Sequence, residues 1–86
     1  MIANLGINDA SINYEVALEL LGQSMQPFIR AIADERAKPK PSAALIAYCE
    51  ARKTALSRMQ DRLRLDDLTT IAAILDRDDP RANLFR

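Results

Sequence analysis

The sequence predicts an all-α protein, a small antiparallel helical hairpin or bundle of three to four helices. Three observations carry that expectation. Apolar residues recur at intervals of three and four in three separate segments. No segment alternates apolar and polar residues as a half-buried strand does. The stretch Ala37-Lys38-Pro39-Lys40-Pro41 lies between two of the helical patterns, where two prolines stop a helix and the length suits a link between antiparallel neighbours.

The first segment runs from Asn8 to about Arg36. Tyr14, Leu18, Leu21, Met25, Phe28 and Ile32 follow one another at steps of four and three, so they form one face of a helix. Glu15, Glu19, Gln23, Gln26, Arg30 and Asp34 form the opposing polar stripe. Asn8, Asp9 and Ser11 are candidate caps, and residues 1–7 read as an N-terminal arm. Pro27 complicates the pattern. Inside a helix it removes the bond to the Gln23 carbonyl and crowds it, at a cost of roughly 3 kcal/mol if nothing adapts. The segment is therefore expected to be kinked or broken near Gly22–Pro27. A break is favoured, because Gly22 supplies a stop, Ser24 a cap and Pro27 a residue tolerated in a first turn.

Residues 37–41 form the linker and residues 42–64 the second helix. Ser42 is its candidate N-cap. Leu45, Tyr48, Ala51, Ala55, Leu56, Met59 and Leu63 are expected to share its buried face, and no Gly or Pro interrupts it. A short helix over residues 67–77 follows, started by Asp66 or Asp67, with Leu68, Ile71, Ala72 and Leu75 facing inward. The tail, residues 78–86, frays unless Leu84 and Phe85 dock.

Composition bounds the function. The 86 residues suit one domain, residues 1–86. A chain of this size buries only about 60–65% of its unfolded surface, so an isolated monomer is expected to be marginal. There is no His, which excludes imidazole-based triads and metal sites. The single Cys49 permits no internal disulfide and fits a reducing, cytoplasmic setting. The start Met-Ile-Ala-Asn-Leu-Gly lacks the basic and long apolar stretches of a secretory leader, and no run approaches the roughly 20 apolar residues that span a bilayer, so neither a leader nor a membrane span is expected. Asp76, Asp78 and Asp79 lack the Gly and Glu of a calcium loop. Gly6 and Gly22 form no phosphate cradle. Without a nucleophile–base pairing, no enzyme is expected, and no catalytic, cofactor or metal residue is assigned.

Net charge is zero, with twelve basic and twelve acidic side chains, but it is unevenly spread. Residues 41–65 carry Arg52, Lys53, Arg58, Arg62 and Arg64 against Glu50 and Asp61, while residues 66–86 carry an acidic excess. Val16, Leu18, Leu20 and Leu21 make a stripe broader than one hairpin partner covers. Ala44, Ala47, Ala51 and Ala55 leave room for a close helix neighbour. These features point to a non-enzymatic protein-binding module, a small helical adaptor or inhibitor that occupies a partner's surface, with homodimerisation through the helix faces. Arg58 and Arg62, one turn apart, are the expected grip on carboxylates or phosphates, with Arg52 nearby. Leu20, Phe28 and Tyr48 are the expected apolar anchors. A chain of this kind also suits a bacterial mobile element that inhibits a host complex, although no residue carries that idea. The alternative is a dimeric nucleic-acid-binding regulator using the basic middle helix. Asp66 and Asp67 weigh against it, since they would sit at the start of a recognition helix, close to phosphates.

Overall fold

A computed structural model describes the backbone over residues 5–85 and the side chains over residues 10–85. Three α-helices, α1 (Leu5–Arg36), α2 (Ala43–Arg62) and α3 (Leu68–Leu75), are followed by a 3₁₀ segment over Pro80–Phe85. Helix α2 folds back antiparallel on α1. Helix α3 then packs on α1, and the 3₁₀ segment packs on α3. The result is an elongated body of 59 × 24 × 22 Å, whose long axis is set by α1: its 32 residues extend over about 48 Å at 1.5 Å per residue. No helix among the described residues is long and apolar enough to cross a membrane.

The all-α expectation holds, but α1 does not break. It is continuous through Gly22, Ser24 and Pro27. The physical reason lies in which face carries the proline. Gln23 and Pro27 are both exposed, so the carbonyl that loses its helical bond faces water, which can satisfy it. On the other side, Leu21 and Ile32 are buried and Met25 and Phe28 half-buried, so packing against α2 runs past the proline without interruption. The start of α1 also differs from expectation. Asn8, Asp9 and Ser11 lie within the helix, which already includes Leu5. The part of the expected arm before Leu5 lies outside the described residues.

The linker is held by a buried carboxylate. Glu35, only 5% exposed, accepts from the Ser42 backbone N–H at 2.8 Å through one oxygen and from Lys38 Nζ at 2.9 Å through the other. Lys38 N–H bonds the Glu35 carbonyl at 3.1 Å, and Ser42 Oγ accepts from Leu45 N–H at 3.2 Å, the N-cap bond that opens α2. Pro39 and Pro41 have no N–H to satisfy. The reversal thus leaves the Lys38 and Ser42 donors paired.

The core is formed by Ala17 and Leu21 of α1, Leu56 of α2, Leu63, Ile71, Ala73 and Ile74 around α3, and Phe85. Two faces are rotated from expectation. In α2 the buried line is Cys49, Leu56 and Leu63, while Tyr48, Ala51 and Ala55 face outward. In α3 it is Ile71, Ala73 and Ile74, with Leu68 63% exposed and Ala72 also outside. The helix ends at Leu75, earlier than Arg77. Phe85 and Ala82 dock into the core and Leu84 stays 60% exposed.

Candidate functional site

The residues of α2 fall into two sets, those whose polar groups the fold satisfies and those it leaves open. Lys53 pairs with Glu50 at 3.1 Å. Arg64 approaches Asp66 at 3.8 Å. Arg52 donates to the Leu84 carbonyl at 3.3 Å and lies over the Phe28 ring, 6.0 Å from its centroid. Arg58 and Arg62 are exposed and have neither a hydrogen bond nor an ion pair among the described residues. Internal compensation therefore accounts for three of the five basic side chains of residues 41–65 and leaves these two.

Both arginines border one groove of about 410 Å³ between α2 and α3. Ala55, Arg58, Met59 and Arg62 form its α2 side, and Asp67 and Thr70 its α3 side. Asp67 takes the N-cap position of α3 but makes no capping bond there. Its Oδ2 instead accepts from the Arg64 backbone N–H at 2.8 Å, closing the turn between the two helices. The Asp67 carboxylate is thereby held toward the chain, and Ala55, Met59 and Leu63 give the groove its apolar lining. Four of the exposed large apolar residues, Ile12, Val16, Leu65 and Leu68, belong to this same end of the bundle, which Tyr14 Oη closes by donating to the Leu63 carbonyl at 3.4 Å.

The six residues singled out in the sequence separate into three places. Arg58 and Arg62 share the groove. Phe28, Tyr48 and Arg52 meet farther along the hairpin, where the two rings pack edge to face with centroids 6.4 Å apart and Tyr48 remains 59% exposed. Leu20 is apart from both. It is half-buried and lines a cavity of about 340 Å³ with Ile74, Leu75 and Phe85, so its apolar surface packs against α3 and the 3₁₀ segment. Met59 and Thr70 of the groove were not singled out. Nothing in the spacing of α2 alone marks where α3 will sit, and α3 is what turns that face into a groove.

The carboxylates of Asp76 and Asp79 have structural partners. Asp76 Oδ1 accepts from Asp78 N–H at 2.9 Å. Asp79 accepts from Arg81 N–H at 2.8 Å and pairs with Arg81 Nη2 at 3.0 Å, so the Arg81 guanidinium holds its carboxyl below the usual carboxylate range. No group of three metal-ligating side chains occurs among the described residues. Cys49 is buried and free. Comparison with family models, curated proteins and solved structures finds no match to the chain.

Proposed function

We propose that the chain is a non-enzymatic protein-binding module, a small helical adaptor or inhibitor that works by occupying a partner's surface in the cytoplasm. The single observation behind this reading is the pair of guanidinium groups of Arg58 and Arg62, unpartnered among the described residues, at a groove with apolar lining from Ala55, Met59 and Leu63. Two arginines one helical turn apart suit two carboxylates at the same spacing on an acidic helix or strand, and guanidinium forks bind carboxylates bidentately. Ala55 and Met59 supply the apolar contact that a charge pair alone lacks. Tyr48, exposed and steadied by Phe28, is a second anchor on the same helix, of the aromatic type that dominates interface energetics. Homodimerisation belongs to the same reading, as does the free, buried Cys49 in a reducing compartment.

The test compares wild type with Arg58→Glu/Arg62→Glu in affinity capture from lysate, beside a titration with duplex DNA at low and moderate salt. A set of proteins retained by wild type and lost by the variant supports the reading. Identical protein sets remove the two arginines from it. Tight DNA binding that falls steeply with salt replaces it with the nucleic-acid alternative.

A further inference from the structure

Six of the eight residues of α3 are apolar and none is charged, and a helix this apolar is ordinarily covered on both sides. Here one side is covered: Ile71, Ala73 and Ile74 are buried, while Leu68 and Ala72 face water. The layer that α3 makes with the 3₁₀ segment is also shorter than the hairpin beneath it. Tyr14 meets Leu63 where α2 ends, and Leu20 and Ser24 line one cavity with Ile74, Leu75 and Phe85, so α3 runs parallel to α1 along its N-terminal half. On α2 the layer reaches Arg52, whose guanidinium donates to the Leu84 carbonyl. Leu45, Tyr48 and Arg52 follow at steps of three and four, on one side of α2. Tyr48 and Leu45, one and two turns beyond the layer, are exposed. Charge divides along the same line. Residues 28–53, the half of the hairpin beyond the layer, carry six basic and three acidic side chains, whereas residues 66–79, α3 and its flanks, carry five aspartates against the single Arg77.

We propose that a second copy of this chain covers the open half of the hairpin, antiparallel to the first, with the outer stripe of its α3 laid along Leu45, Tyr48 and Arg52. Charge complementarity selects the occupant, since the acidic α3 region of one copy comes to rest on the basic half of the other. Turned end for end, the second copy's α3 runs parallel to the first copy's α2. With Leu68 set against Leu45, Ala72 comes level with Tyr48 and Asp76 with Arg52, because both helices rise about 1.5 Å per residue. Asp66 then lies toward the loop lysines Lys38 and Lys40. The same two-fold operation lays the first copy's α3 on the second copy's hairpin and brings the exposed Leu84 of each copy near the axis. The contact is isologous, so it closes as a dimer. The proposal deepens the homodimer part of the binding reading and rests on it, but it makes no use of Arg58 or Arg62.

Sedimentation equilibrium over a range of protein concentration tests this, with wild type, Leu68→Lys and Leu45→Glu. Both substitutions fall on exposed residues, and a glutamate suits position 45, three residues after the cap Ser42. The mass of wild type is expected to rise with concentration and level off at that of a dimer, with weaker association at high salt. Each variant alone sets a charge against a leucine and beside like charges, and is expected to associate about tenfold more weakly or worse. An equimolar mixture of the two has an ion pair at one contact and the wild-type pair at the other, and is expected to recover association, which also shows that the variants fold. A wild type that stays monomeric at millimolar concentration overturns the proposal. So do growth beyond a dimer, association that neither variant weakens, and a mixture as weak as its components. Monomeric wild type that still captures a protein through Arg58 and Arg62 overturns self-association and leaves the binding reading standing.

Discussion

Gln60 reaches across from α2 and donates its Nε2 amide to the Leu18 carbonyl of α1 at 3.0 Å. The room for this crossing comes from Gly22. A Cβ there would stand 3.3 Å from Gln60 Nε2, so any side chain pushes on an atom that is already hydrogen-bonded. The glycine that looks like a helix stop in the sequence therefore functions as the floor under an interhelical bond.

Gly22→Ala sets two effects against each other. Helix propensity favours alanine by about 1 kcal/mol, while the displaced Gln60 amide loses part of a bond that contributes about 1 kcal/mol net. In wild type the substitution is expected to change stability by less than about 0.5 kcal/mol. In a Gln60→Ala background the full gain of about 1 kcal/mol returns. Denaturant unfolding of the four proteins measures the coupling, and equal effects of Gly22→Ala in both backgrounds contradict the role assigned to Gln60.

Pro27→Ala is expected to stabilise the protein by roughly 1–3 kcal/mol, because α1 is continuous there and alanine restores the missing bond to the Gln23 carbonyl without crowding it. Unchanged or lower stability in chemical denaturation would mean that the proline sets a bend on which packing depends.

The linker responds to acid through Glu35. Bonding to Lys38 and to the Ser42 N–H holds its carboxyl below the usual glutamate range. The folded state therefore binds the proton less readily than the unfolded chain does. The resulting stability is fully present above the unfolded pKa and disappears as pH falls through the folded one. Thermal unfolding midpoints across the acid range are expected to fall less steeply in Glu35→Gln than in wild type, and to start lower at neutral pH. Asp79 acts in the same window through Arg81, so Asp79→Asn is the matching control.

Leu21 and Leu56 are the largest fully buried side chains and sit at the centre of the α1–α2 seam. Truncating either to alanine is expected to cost roughly 2–5 kcal/mol, enough to unfold much of a marginal chain of this size. Circular dichroism at ambient temperature detects it. Tyr48→Ala, at an exposed position, is expected to cost less than about 1 kcal/mol.

The parts of the fold legible in the sequence are those set by neighbours in the chain. Ser42 caps α2 as its position after Pro41 implies, and the register Tyr14–Leu18–Leu21–Met25–Phe28–Ile32 does face the core. What the sequence misreads depends on distant residues. Gly22, Ser24 and Pro27 each signal a helix end locally, yet α2 packs along the whole face and the exposed side of the proline is solvated. Tyr48, Ala51 and Ala55 are apolar enough to look buried, but Cys49, Leu56 and Leu63 are the residues aimed at α1. Of the site, the one-turn spacing of Arg58 and Arg62 is visible in the sequence. Their lack of partners among the described residues is not, because it depends on where the fold takes the other charges: Lys53 finds Glu50, Arg64 finds Asp66 and Arg52 finds the Leu84 carbonyl.

The most direct test of the account is to map amide chemical shifts of the isotope-labelled protein during titration with an acidic helical peptide that carries glutamates one turn apart. Shifts gathered on Ala55, Arg58, Met59, Arg62 and Thr70 are expected, abolished by Arg58→Glu/Arg62→Glu. Shifts scattered over the surface, or the same shifts in the variant, contradict it.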